Sequence, residues 1–171
     1  MLSLQTVYKA RKSIEGIALK TPLALSRSLS TSEREVRLKL ETVQPTGAFK
    51  IRGAANAVAQ LTEAQAAVGV VCASTGNHGR ALAYAAAKRG VTATICMSEL
   101  VPDNKVAAIR DMGADVRIIG RSQDEAQKEV DRLVSSEGMT EIPPFDHADV
   151  VAGQGTIGLE IIEEWPDVYT I

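Results

Sequence analysis

Lys50 stands between a glycine turn and an alanine-rich run, in the segment QPTGAFKIRG from Gln44 to Gly53. Before it, Val36 to Glu41 alternates apolar and polar residues with a period of two, which predicts a half-buried strand that Pro45 and Gly47 then break. From Phe49 to Leu61 the chain is apolar, rich in alanine and free of proline, so a helix is expected with Lys50 in its first turn. An ammonium held near the positive end of a helix dipole and partly desolvated under Phe49 is disfavoured on both counts. Lys50 is therefore a candidate neutral amine able to attack a carbonyl. The competing reading is a solvated surface lysine.

A second group of residues, Ser74-Thr75-Gly76-Asn77-His78-Gly79, follows the apolar run Val68–Ala73 and precedes a helical pattern over Ala81–Arg89. A loop leaving the carboxyl end of a strand can aim backbone N–H groups at an anion, and a substrate carboxylate suits that place. The plainer alternative is that Gly76 and Gly79 permit a tight turn and Asn77 caps the helix. His78 by itself reads as a loop histidine bonded to backbone.

The elements that must position these residues alternate. Lys88, Arg89 and Gly90 are helix-end signals. Val91–Cys96 reads as a strand, and Pro102 as a first helical position before Lys105–Met112, with Gly113 as the stop. Asp115–Ile119 is another strand. Ser122 and Glu125 form a capping-box pattern, and Ala126, Val130, Leu133 and Val134 share a face of the helix it starts. The expected class is α/β, with parallel strands covered by helices.

Three blocks carry a family resemblance. KLETVQPTGAFKIRGA, from Lys39 to Ala54, resembles the pyridoxal-phosphate attachment signature of the serine/threonine dehydratase family. Ser74 to Gly79 resembles that family's asparagine loop, and PPFDHADVVAGQGTIGLE, from Pro143 to Glu160, is similar to its threonine-dehydratase form where the chain returns to the large domain. Thr21-Pro22-Leu23 also matches a family segment that follows a first helix. The resemblance implies a fold type II (tryptophan synthase β-like) enzyme that uses pyridoxal 5'-phosphate. Lys50 would be the attachment lysine and the base at Cα, Phe49 would pack beside the cofactor, and Asn77 would bond its phenolic oxygen. Ser74, Thr75, Gly76 and His78 would hold the substrate.

The implied reaction is β-elimination of water from a threonine- or serine-like 3-hydroxy amino acid, giving a 2-oxo acid and ammonia, in a homo-oligomer. STGNHGRALAYAA and ICMSELVP also resemble dehydratases of hydroxyectoine utilisation, and hydroxyaspartate lyases are a further alternative. Thr75 departs from the serine or alanine common at that place in the family, which argues against racemase activity. The implied division is 2–49 in a large domain, 50–148 as a small domain and 149–171 as the return into the large domain. The glycine-rich phosphate loop and the partner of the pyridine nitrogen are expected beyond these residues, so the 171 residues alone are expected to lack turnover.

One motif points elsewhere. Gly153 to Gly158 is a G-x-G-x-x-G string after the strand-like Asp149–Ala152, which suggests a dinucleotide site. That site needs a further strand with an acidic residue about 20 positions on, and the sequence offers none; the resemblance to the dehydratase family implies a strand-to-helix junction at this string instead. A non-catalytic α/β binding module is the remaining alternative.

Composition bounds the rest. A chain of 171 residues with 45% hydrophobic content can bury a sizeable core. A formal charge of −2 without a basic, aromatic-interleaved run argues against nucleic acid. Cys72 and Cys96, both in apolar runs, read as buried free thiols of a reducing compartment. His78 and His147 have no ligand-spaced companions, so no metal is expected. The N-terminus lacks a signal-peptide core, which makes the cytoplasm the expected location and a membrane partner unexpected.

Overall fold

A computed structural model describes residues 2–171. The first helix, α1 (Leu4–Ser13), starts on Ser3, whose hydroxyl accepts from the Thr6 N–H while Thr6 answers the Ser3 N–H. A small antiparallel pair follows, β1 (Leu23–Leu25) with β2 (Arg37–Lys39). The alternation from Val36 does form a strand, but its polar side faces inward. Leu38 is 43% exposed, whereas the Lys39 ammonium is buried against Glu160 at 2.7 Å. Buried carboxylates supply the partner that makes this orientation favourable.

After a 3-10 turn at Glu41–Val43, α2 (Lys50–Ala59) starts with Lys50, as its sequence predicts. Every residue from Ile51 to Val58 is buried, because α2 lies between α4 (Asn77–Arg89) and α7 (Ala148–Glu164) and touches α1. An alanine-rich helix suits that place, since it loses little side-chain entropy and lets neighbours approach on all sides.

The main sheet is four-stranded and wholly parallel, in the order β5 (Asp115–Ile118), β4 (Ala93–Met97), β3 (Val70–Ala73), β6 (Thr140–Glu141). Successive residues divide between its faces with a period of two. Val70, Cys72, Ile95 and Met97 join the core under α2 and α4, while Val71, Ala73 and Cys96 pack with Ala126, Val130 and Leu133 of α6 (Gln123–Glu137). The expected α/β class with a parallel sheet holds. Cys72 and Cys96 are buried free thiols, and burial raises both, Cys96 to about 11.

Several boundaries differ from the sequence reading. Val68 ends a short helix, α3 (Glu63–Val68), which the Thr62–Gln65 capping box starts, and Gly69 at φ +106° turns the chain into β3. The next helix begins at Asn77, not Ala81, so Asn77 and His78 lie in its first turn. It ends on Gly90 in the left-handed conformation, as expected. Pro102 precedes α5 (Asp103–Arg110) as its cap. Ser122 caps α6, but the Glu125 carboxylate accepts from the Arg121 N–H, and Val134 is 37% exposed, outside the packed face.

The largest correction concerns Gly153 to Gly158. The string is neither a junction nor a dinucleotide loop, because it lies inside α7, a continuous 17-residue helix from Ala148 to Glu164. Two of its glycines serve helix packing, Gly153 against α2 and Gly155 against Val7 of α1. A Cβ on Gly153 would overlap the Arg52 carbonyl oxygen and sit 2.7 Å from the Gly53 Cα. The α2 and α7 backbones thus meet with no side chain between them. Among the described residues, no helix is long and apolar enough to cross a membrane.

Candidate active site

Lys50 projects from the first turn of α2 toward the segment after β6. Its Nζ donates to the Pro144 carbonyl oxygen at 2.6 Å and lies 4.8 Å from the centre of the Phe145 ring and 5.4 Å from that of Phe49. Burial lowers the amine below its ordinary value. The cause is desolvation, one of the two that the sequence suggested. Phe49 is the more distant ring and is 40% exposed.

The amine opens on a cleft of about 430 Å³ shared with Ser74, Thr75, Gly76, Asn77 and His78, and with Gln123, Pro144 and Phe145. The predicted residues from two distant parts of the chain therefore meet, at the carboxyl end of β3, where ligands bind in parallel α/β sheets. Phe49 is beside the amine but does not line the cleft.

Within the loop the roles separate. The Ser74 hydroxyl accepts from the Gly79 N–H at 2.9 Å and the Gly76 N–H at 3.4 Å, so Ser74, and not Asn77, ties down the start of α4. Its own O–H hydrogen remains to donate. Asn77 takes an Arg80 N–H on its Oδ1. Arginine has no acceptor, so this contact assigns the oxygen and leaves Nδ2 as the donor. The amides of Asn77 and His78, in the first turn, have no carbonyl inside the helix to bond. Thr75 is exposed at the lip and Gly76 is in extended backbone at φ −166°.

His78 behaves otherwise than a substrate ligand. Its side chain is buried, and Nε2 meets the Ile142 carbonyl at 2.7 Å, so Nε2 carries the hydrogen in the neutral ring. Burial, reinforced by the nearby Lys50 charge and opposed by that bond, lowers the imidazole to about 4. Its buried Nδ1 has no hydrogen-bond partner among the described residues. What His78 offers the cleft is its backbone.

Sequence reasoning missed Pro144, Phe145 and Gln123, although Pro143-Pro144 directly after a strand signals an extended segment that cannot pair further. It also missed a buried ionic cluster behind Lys50. The Arg52 Nε and Nη2 donate to Glu41 at 2.9 and 2.8 Å, and Nη1 and Nη2 donate to Glu160 at 2.6 and 2.9 Å. Nη1 also reaches Thr156 (3.1 Å) and Nη2 the Leu19 carbonyl (3.0 Å). Burial raises both carboxyls, but the bonds and charge of Arg52, joined by the bonds from Thr21 and Gln44 at Glu41 and by Lys39 at Glu160, together outweigh it and leave both below the ordinary carboxylate range. The visible signal was one arginine in an alanine-rich helix and one glutamate on an apolar turn of another.

Comparison with known proteins gives a consistent picture. The family model described as pyridoxal-phosphate dependent enzyme matches residues 14–171. A Sinorhizobium fredii protein provisionally named a threonine dehydratase is 58% identical over 168 residues, covering 98% of this chain and 51% of that protein. The solved threonine deaminase isoform 2 of Solanum lycopersicum superposes with a TM-score of 0.90 at 36% identity, over 96% of this chain and 46% of its own. Serine racemase from Dictyostelium discoideum also superposes at 0.90, with 35% identity, over 99% of this chain and 55% of its own. The chain thus spans about half the length of these proteins.

Proposed function

The chain belongs to the pyridoxal-phosphate dependent enzyme family, and from that premise we propose that it carries the reactive lysine of an enzyme eliminating water from a threonine- or serine-like amino acid. The products are a 2-oxo acid and ammonia. The observation that carries the proposal is the meeting of the Lys50 amine and the 74–78 loop in one cleft. The fold resembles a deaminase and a racemase equally well, so the choice of dehydration rests on the 58% identical relative, whose provisional name is threonine dehydratase.

The residues fit the cofactor. A partly desolvated amine faces the cleft, as an aldehyde requires, and the Arg80 contact leaves Asn77 with a donor for a phenolic oxygen. Lys50 and Asn77 would hold the cofactor's reactive edge, with Phe49 and Phe145 flanking Lys50. When bound, pyridoxal phosphate supplies a ring that accepts electrons from the substrate's Cα.

This chain's own residues do the rest. Lys50 Nζ takes the Cα proton as general base, and desolvation keeps a larger share of it neutral and able to do so. The Ser74 hydroxyl and the backbone N–H groups of Thr75 and His78 orient the substrate carboxylate, and Gly76, which carries no side chain, lets it approach the loop. We assign 2–49 and 149–171 to a large domain and 50–148 to a small one, which sets the cleft against the remainder of the large domain.

The test is Lys50→Ala in the whole protein, assayed for 2-oxo acid release from threonine and serine. Release should vanish while circular dichroism stays unchanged, since alanine is well tolerated at a helix start. Wild-type release by that variant would overturn the assignment.

A further inference from the structure

Lys50 and Arg52 are two residues apart on α2 and therefore point to opposite sides of it. Lys50 faces Pro144 and the cleft, and Arg52 faces Glu41, Glu160 and the Leu19 carbonyl. The Arg52 side chain is 1% exposed, and each of its guanidinium nitrogens has an acceptor. Its backbone is held as well. The Arg52 N–H closes the first turn on the Phe49 carbonyl at 3.1 Å, and its carbonyl lies against Gly153 of α7.

The acceptors frame the turn that delivers Lys50. Glu41 precedes that turn, and Gln44, which begins it, donates to the Leu19 carbonyl at 2.8 Å and to Glu41 at 3.1 Å. Thr21 donates to Glu41 at 2.5 Å. Residues 44–49 are thereby closed at one end by Glu41 and Gln44 and at the other by Arg52, through a single cluster. Glu160 adds the third side, and Lys39 balances its charge at 2.7 Å.

We infer that Arg52 is a positioning residue for Lys50: its planar fork locks the first turn of α2 to the preceding turn and to α7, and so fixes where the amine enters the cleft. The inference rests on the reading of Lys50 as the reacting amine. The geometry is that of a fork and not of a point charge, because the guanidinium spans two carboxylates and a carbonyl in fixed directions. Lysine at this position keeps the charge but bonds fewer of them.

The test compares wild type, Arg52→Lys and the milder Glu41→Gln in the full protein, each first confirmed folded by circular dichroism. Two readouts are taken. The first is reductive methylation of Lys50 in cofactor-free protein across pH, followed by peptide mass spectrometry, with Nα-acetyl-lysine in the same solution as standard. In wild type the Lys50 midpoint should lie below that of the standard. In both variants it should move toward the standard, because an amine released from its place becomes solvated. The second readout is steady-state elimination, where kcat should fall about ten- to a hundred-fold with KM changed little.

Folded variants with the wild-type methylation profile and wild-type kcat would overturn the inference. Lys50→Ala run in parallel separates the two readings. If it retained turnover, the functional reading would fall, while the methylation profile would still decide whether Arg52 sets the place of the amine.

Discussion

Gly153→Ala and Gly158→Ala place the same methyl group on the same helix five residues apart, and the structure requires opposite outcomes. The Cβ added at Gly153 would overlap the Arg52 carbonyl oxygen and lie 2.7 Å from the Gly53 Cα and 2.8 Å from the Arg52 carbonyl carbon. Non-bonded carbons rest about 3.5–4.0 Å apart. Because every obstacle is backbone, no rotamer change relieves the overlap, and α2 and α7 must part by about 1 Å. Overpacking of this kind costs about 3 kcal/mol, the upper part of its usual range, and the better helix propensity of alanine offsets about 1 kcal/mol of it. The net loss of about 2 kcal/mol lowers the melting temperature by about 4–8 °C in a chain of this size. At Gly158 none of the described residues lies within 4 Å of an added Cβ. There only the propensity change remains, worth about 1 kcal/mol of added stability and about 2–4 °C. Thermal unfolding followed by circular dichroism reads both. A dinucleotide loop or a strand-to-helix junction predicts harm at both glycines, so a shift of the same sign in the two variants would refute the helix-seam argument. Lys50 lies one turn from the contact, so Gly153→Ala should also lose up to about a hundred-fold in turnover.

Three further outcomes follow from the cleft. Ser74→Ala should cost about 1 kcal/mol in urea unfolding, because the Gly79 N–H loses its acceptor, and should also raise KM for the amino acid. Asn77→Ala, at an exposed position, should change stability by less than about 0.5 kcal/mol while altering the absorbance of the bound cofactor; an unaltered spectrum would remove Asn77 from the cofactor's surroundings. His78 is lowered in the folded state to about 4 from an ordinary 6.5. The unfolded chain therefore binds the extra proton first, so His78 costs no stability above pH 6.5, and stability falls as pH drops from 6.5 toward 4. The gap corresponds to about 3 kcal/mol in full. Urea midpoints at pH 7 and pH 5 should fall in wild type and less so in His78→Gln; equal pH slopes would show that His78 is not the group responsible.

The parts of this architecture that sequence made legible are those governed by local rules. The α2 start at Lys50, the left-handed Gly90 and the Ser122 cap each depend on a few neighbouring residues, and each is found where its residue types put it. What escaped depends on partners far along the chain. The inward side of β2 could not be read from its alternation, because Lys39 is buried only where Glu160, more than a hundred residues later, meets it. The glycine string misled for the same reason. G-x-G-x-x-G has the same composition whether its glycines admit a ligand or a second helix, and what distinguishes the two here is the α2 backbone at Arg52 and Gly53, about a hundred residues earlier. Phe145 went unnoticed because its proximity to Lys50 is a fact about where β6 ends, not about either residue.

The composition of α2 has a common cause in these constraints. At about 100° per residue, Lys50, Arg52 and Gly53 face three directions: the cleft, the ionic cluster and the backbone of α7. A helix asked to meet three different surfaces within its first four residues has no solvent side there, and Ile51 closes the remaining direction against the core. Each of these residues is thus confined by a different neighbour, and none can be replaced by compensating at another. The next turns face α4 and α7 and admit little more than a methyl group at most positions, which accounts for the alanines. A reacting amine on such a helix moves only if the whole helix moves, and the helix is held by charge on one side and by backbone contact on another. That rigidity lets a lysine on a flexible four-carbon stem act as a placed group, since the only freedom left to it is in its own side chain.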